Sequence, residues 1–259
     1  MSVSLNPAID LAIIGGSGFY HLNPHRADKE TQQTTYLDIT TPFTNEPIRL
    51  CQEAVNTTNV YFIPRHGVEH TLPPHKINYR ANLWALKEAG VQKIIAVNAV
   101  GGINPKMNPG SLVIPDQIID YTWGREHSFF DGLNSLHDHI DFTYPYDAQL
   151  RDLLIEEAKE IELPVFGKGC FACTQGPRLE TAAEIQKLKR DGCDIVGMTG
   201  MPEAALAREL NIAYACITLV VNPAAGLSKE TITIDKIKKV LSEGLQDVRK
   251  LLGACVVKL

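Results

Sequence analysis

The stretch Ile94–Gly102, Ile-Ile-Ala-Val-Asn-Ala-Val-Gly-Gly, limits the fold more than any other part of the chain. It is a short apolar run rich in β-branched residues and stopped by two glycines, the pattern of a buried strand. A strand that ends in glycines leaves backbone N–H groups free to face a ligand. Leu11–Ile14 is a second such unit and runs straight into Gly15-Gly16-Ser17-Gly18. With the basic pair Arg65-His66 between them, the two strand-to-glycine corners point to one anionic pocket, walled by the remaining segments.

The rest of the chain supplies the parts of an α/β fold. Threonines dominate residues 31–44, which suggests antiparallel strands and turns. Tyr61-Phe62-Ile63 is a short strand ended by Pro64, and Pro73-Pro74 forbids a helix in the loop Arg65–His75. Asn78 caps a helix that Gly90 stops. Ser111–Ile114 and Gln117–Tyr121 are strand pieces broken by Pro115, and residues 122–146 form a long aperiodic loop of the kind that is often functional. Asp147 caps a helix with Leu150, Leu153, Leu154, Ala158 and Ile161 on one face. Then come a strand Val165–Gln175, a helix Glu180–Asp191, a strand Asp194–Met198, a helix Pro202–Leu210 and a long strand Ile212–Val221. The final helix carries a sustained apolar stripe from Ile237 to Leu252. The expected architecture is a single α/β domain over residues 1–259, with its core at about 11–253 and a mixed sheet flanked by helices.

A chain of 259 residues can bury a large core, and its net charge of −5 argues against nucleic acid as a partner. It has no run of 18 apolar residues, so no membrane span is expected. Met1–Pro7 lacks the basic start and apolar core of a signal peptide, and the scattered cysteines suit reduced thiols; a cytoplasmic location is expected.

Each candidate site has a plain structural reading beside the chemical one. Gly15–Gly18 is a common kind of turn, and it is not a dinucleotide fingerprint, because His21 stands where the third glycine belongs. A nicotinamide-dependent oxidoreductase is disfavoured for that reason. Arg65 offers a planar fork suited to phosphate, or else the loop is simply solvated. His66, His70 and His75 invite a metal, but the prolines deny the helix that i, i+4 ligation needs. Cys170-Phe-Ala-Cys173 lacks a second pair and lies in a strand, so buried thiols are expected. His137-Asp-His139 is a metal cluster, a proton relay or a solvated turn. Glu180 is either a first-turn helix acid or a group at the mouth of a strand wall. Met198-Thr199 and Asn222 also stand at strand ends, where open α/β sheets bind ligands.

In this order, Gly15-Gly-Ser-Gly18, Pro64-Arg-His-Gly67, the Asn78–Ala89 helix, Asn98-Ala-Val-Gly-Gly102, Gln175-Gly-Pro-Arg178 and Gly197-Met-Thr-Gly-Met-Pro-Glu203 resemble the trimeric purine nucleoside phosphorylase and methylthioadenosine phosphorylase family. The likeness runs from Ile13 to about Gly253. It implies a sheet partly closed into a barrel, and a reaction in which phosphate attacks the anomeric carbon of a purine nucleoside as the base departs. By motif, Ser17, Arg65, His66, Asn98, Ala99 and Thr199 hold phosphate, Met198 lies under the ribose, and Leu179 lies beside the base. No metal or organic cofactor is implied; inorganic phosphate is a co-substrate.

The base pocket departs from the adenine-specific branch, which carries an aspartate pair after the last long strand. Here Asn222 and Ala224 stand there, and Glu180 stands where the 6-oxopurine enzymes carry glutamate. A 6-oxopurine presents an acceptor at O6 and a donor at N1, which suits Asn222 as donor and Glu180 as acceptor. The resemblance gives Asn222 and Glu180 the catalytic roles. Ile234 and Ile237 stand where the methylthio branch lines its 5′ pocket, and His139 matches a histidine lent across a subunit boundary of a homotrimer. The expected substrate is S-methyl-5′-thioinosine. An ordinary purine nucleoside phosphorylase acting on inosine or guanosine, a methylthioadenosine phosphorylase, and a non-enzymatic nucleoside-binding module are the alternatives.

Overall fold

The computed structural model describes residues 9–22, 35–56, 58–130 and 139–259. The elements are β1 (Leu11–Gly15), β2 (Thr35–Thr41), β3 (Thr44–Val55), β4 (Thr58–Pro64), α1 (Tyr79–Glu88), β5 (Lys93–Gly102), β6 (Leu112–Val113), β7 (Gln117–Tyr121), α2 (Ala148–Glu160), β8 (Val165–Phe166), β9 (Cys170–Thr174), α3 (Ala182–Arg190), β10 (Ile195–Gly197), α4 (Glu203–Glu209), β11 (Ala213–Pro223) and α5 (Ile234–Val256).

Strand β5 is the branch point of a mixed sheet. The path runs β2-β3-β4-β1-β5-β10-β9-β7, and β11 also pairs with β5 and leads to β6 and β8. β1 and β11 flank β5 in parallel, whereas β10 runs antiparallel to its end and β2-β3-β4 form an antiparallel meander. Among the described residues no pairing closes the sheet into a ring.

Period-2 alternation sorts β1 and β5 onto two faces. Ala12, Ile14, Ile94 and Ala96 pack with Leu83 and Leu86 of α1 and Leu206 of α4. Leu11, Ile13, Ile95 and Val97 pack with Leu150 and Leu154 of α2 and Leu245 and Val248 of α5. Since both faces are covered, the strands can be apolar throughout, as the glycine-stopped runs indicated. A smaller cluster seats α3 through Ile185 and Leu188. Among the described residues no helix is long and apolar enough to cross a membrane.

Several boundaries differ from expectation. The strand expected over Val165–Gln175 is two strands, because side chains capture the backbone between them: Arg151 Nη2 donates to Gly167 O at 2.6 Å and Gly169 N donates to Asp116 Oδ1 at 2.9 Å. The helix expected from Glu180 begins at Ala182, since Thr181 and Glu184 form a reciprocal capping box. Glu180 is therefore outside the helix. Pro74–Lys76 makes a single 3-10 turn in the loop expected to be free of helix. Ile161 is the C-cap of α2, at 39 % exposure, where the chain turns away.

Candidate active site

A cavity of about 200 Å³ lies where several strands end together. Its wall takes Gly16 and Ser17 after β1, His66 after β4, and Ala99–Gly101 of β5. It also takes Leu179 and Glu180 between β9 and α3, Val196–Thr199 around β10, and Val221, Asn222, Ala224 and Ala225 at the end of β11. Pro74, Ile232, Ile237 and Leu241 complete it.

One end is lined by backbone and hydroxyl groups of Gly16, Ser17, Ala99 and Thr199, a set that can donate to an oxyanion. Gly16 is required by close approach: a Cβ there would lie 2.5 Å from Val97 O and 2.9 Å from Arg65 Nη1. Thr199 Oγ1 accepts from Asn98 Nδ2 at 2.7 Å, and Cys216 Sγ donates to Asn98 Oδ1 at 3.0 Å. This buried chain leaves the Thr199 O–H as a donor for the cavity. Asn98, expected as a direct anion ligand, therefore stands one layer behind the wall.

Arg65, expected to fork onto an oxyanion, is turned to Glu203 instead. Its Nε donates to Oε2 at 2.9 Å, its Nη2 to Oε1 at 2.7 Å and its Nη1 to Val97 O at 2.7 Å. Both side chains are almost fully buried, and Tyr214 Oη donates to Glu203 Oε1 at 2.8 Å. Burial pulls the Arg65 guanidinium down, but Glu203 beside it more than offsets this and holds it above its ordinary value. The cation thus lies directly behind the Gly16 corner, outside the cavity wall.

His66 Nδ1 lies 2.8 Å from Leu72 O. A carbonyl only accepts, so Nδ1 donates and Nε2 is the uncommitted nitrogen. Burial lowers the His66 pKa to about 4, and nearby Arg65 adds to the effect, while the Leu72 bond opposes it. The unfolded ring binds its proton near 6.5, so between about pH 6.5 and 4 the unfolded chain holds a proton that the folded one lacks. Stability from this residue is complete above the higher value and falls as pH drops toward the lower. At pH 4.5 the loss is about 2 kcal/mol. Urea unfolding at pH 7 and 4.5 is expected to show a wild-type fall steeper by that amount than that of His66→Gln; parallel falls would refute the assignment.

The other end offers paired hydrogen-bonding groups. A β-bulge shifts the β11 register between Val220 and Asn222, so Val221 and Asn222 both line the cavity. One Asn222 N–H donates to Pro223 O at 2.7 Å, leaving the second for a ligand. Glu180 accepts from Thr174 Oγ1 at 2.7 Å through Oε1. Gly176 has φ +64° and a Cβ on it would meet Met198 Sδ at 2.5 Å, so glycine is needed where the Glu180 loop passes the β10 end.

Ser17, His66, Ala99, Leu179, Glu180, Met198, Thr199, Asn222, Ala224 and Ile237 are brought together. Ile234 is not: it is the first residue of α5, 70 % exposed, and Ile232 in the extended approach lines the cavity in its place. His139 is exposed and does not line the cavity, and His137 and Asp138 lie outside the described residues. The rings of His66 and His70 lie 4.6 Å apart, and among the described residues no three metal-ligating side chains converge. Cys170 and Cys173 are free thiols; Cys173 is fully buried and Cys170 partly so.

Sequence reasoning missed Arg125. Its guanidinium donates to the carbonyls of Met198 at 2.9 Å, Met201 at 2.6 Å and Gln175 at 2.8 Å, clamping the ends of β9 and β10. It sits in an aperiodic loop, where no pattern singles it out. The partnership of Glu203 with Arg65 spans 138 positions in sequence, so no local spacing could have revealed it.

Residues 10–257 match the family model described as the phosphorylase superfamily. A probable S-methyl-5′-thioinosine phosphorylase of Pseudomonas syringae pv. tomato is 49 % identical over 243 residues, covering 93 % of this chain and 96 % of that protein. The 6-oxopurine nucleoside phosphorylase of Pyrococcus furiosus is 44 % identical over 251 residues, covering 95 % and 91 %. Among solved structures, methylthioadenosine phosphorylase from Schistosoma mansoni in complex with adenine aligns with TM-score 0.87 at 32 % identity, covering 96 % of this chain and 91 % of that one. A match over nearly the whole length, with relatives at 44–49 % identity, makes this chain a member of the phosphorylase superfamily.

Proposed function

We propose that this enzyme catalyses phosphorolysis of S-methyl-5′-thioinosine, giving hypoxanthine and 5-methylthioribose 1-phosphate. The observation that carries the reading is that Glu180 and Asn222 share one cavity with Ser17, His66 and Thr199. A phosphate oxygen bonds to C1′ as the C1′–N9 bond breaks, the electron pair passes to the purine, and the purine anion is protonated at the ring by the proton that the new phosphate monoester sheds to solvent. Ser17, His66, Thr199 and the backbone near Ala99 orient phosphate, with Arg65 Nη1 directly behind the Gly16 backbone. Asn222 donates to O6 or to charge gathering at N7, and Glu180 accepts from N1–H. Met198 underlies the sugar, with Leu179 and Ala224 beside the base.

An apolar patch of Ile232, Ile237 and Leu241 fits a methylthio group better than a hydroxyl, which would lose its hydrogen bond to water there. The names of the relatives from Pseudomonas syringae and Pyrococcus furiosus support a 6-oxopurine base. We infer with it a cytoplasmic homotrimer serving purine salvage, in which the exposed His139 reaches a neighbouring subunit's cavity, and no cofactor beyond co-substrate phosphate. The test is base release from S-methyl-5′-thioinosine, followed by absorbance with and without phosphate. Release that depends on phosphate is expected. Binding without release would make the chain a nucleoside-binding module.

A further inference from the structure

We propose that Thr174 is a specificity-determining positioning residue, whose hydroxyl holds Glu180 as a hydrogen-bond acceptor and so selects 6-oxopurines over 6-aminopurines. The inference rests on the base assignment above. Thr174 is the last residue of β9, and Glu180 lies beyond the turn that follows. Both line a second cavity of about 240 Å³, and Glu180 also lines the first, so it forms part of the wall between the two. Thr174 reaches it from the far side.

The Thr174 hydroxyl has one proton and two acceptors within reach. Glu180 Oε1 lies at 2.7 Å and Gly197 O at 3.3 Å. The shorter contact takes the proton when the carboxylate is ionised. Among the described residues no other hydrogen bond to the Glu180 carboxylate is recorded. Arg178, two positions away, does not compete, because its guanidinium forks onto Glu184 with both distances at 2.8 Å.

This arrangement is asymmetric between the two classes of base. With Oε1 occupied by the Thr174 O–H, Oε2 is left to accept, and the N1–H of a 6-oxopurine supplies the donor. A 6-aminopurine has a lone pair at N1, so Glu180 would have to bring a proton of its own. The Thr174 proton would be forced onto the longer contact with Gly197 O, or the carboxylate would face the lone pair. Either outcome costs a charge-assisted hydrogen bond, which amounts to about tenfold or more in discrimination.

The test compares kcat/KM for S-methyl-5′-thioinosine and S-methyl-5′-thioadenosine in the wild type, Thr174→Val and Thr174→Ser. Valine keeps the shape and removes the hydroxyl; serine restores it. The ratio of the two values is expected to fall about tenfold in Thr174→Val. It should return to within about threefold in Thr174→Ser, with KM for phosphate unchanged throughout. Thr174→Ala gives the same reading if the valine variant is poorly folded. A wild type that prefers the 6-oxopurine, with that ratio intact in Thr174→Val, would overturn the role of Thr174. Equal losses on both substrates would mean a structural role and overturn it too. A wild type without the preference would instead remove the base assignment itself, and this inference with it.

Discussion

Asn222→Ala is expected to lower kcat for phosphorolysis by about 10²–10³-fold, with a much smaller change in KM for the nucleoside. The purine accumulates negative charge as the glycosidic bond lengthens, and a donor fixed in advance counts most where that charge develops. Asn222 is fixed on one side: its first N–H is committed to Pro223 O at 2.7 Å, and the bulge at the end of β11 aims the residue at the cavity. The second N–H is then available without reorganisation. The residue is only partly buried, so its loss should leave the fold in place. Steady-state kinetics with saturating phosphate reads the split directly. A rise in KM with kcat unchanged would assign Asn222 to binding alone.

Glu203→Gln is expected to destabilise the protein by about 3–5 kcal/mol. The substitution leaves the Arg65 charge in the interior beside an amide, and removal of one partner from a buried pair is far more damaging than replacement of both. Glu203 is 1 % exposed and receives Arg65 twice and Tyr214 once. The loss is a large share of the ~5–15 kcal/mol that holds a typical domain together. Urea unfolding at a fixed protomer concentration measures it, since any subunit association would add to apparent stability. The double variant Arg65→Met with Glu203→Leu should recover part of the loss. A single variant within about 0.5 kcal/mol of wild type would contradict the role given to the pair.

Much of this was readable from the chain because β1 and β5 carry their own signals. Each is a β-branched apolar run that stops at glycines, and each ends at the cavity. Caps at Asn78 and Asp147 were equally legible, since capping chemistry is local: the side chains accept from Ala81 N and Leu150 N as expected. Glu180 and Asn222 could be singled out because each stands at a strand end, and both line the cavity; a purine edge as their partner is what the resemblance implies.

What escaped was set by long-range contacts. Nothing local in the sequence signals the pairing of Arg65 with Glu203, or the hydrogen bonds of Asn98 with Thr199 and Cys216. The break in the Val165–Gln175 strand depends on side chains of Arg151 and Asp116, neither of which is within the segment. Ile232 replaces Ile234 at the apolar end because the helix starts two residues later than the cavity does.

A competition between purines probes the base site most directly. With phosphate saturating, kcat/KM for S-methyl-5′-thioinosine should exceed that for S-methyl-5′-thioadenosine by tenfold or more, on the order of one buried hydrogen-bonding mismatch, and should also exceed that for inosine. Equal or faster turnover of the 6-amino compound would mean that Glu180 and Asn222 do not grip the ring in the manner described.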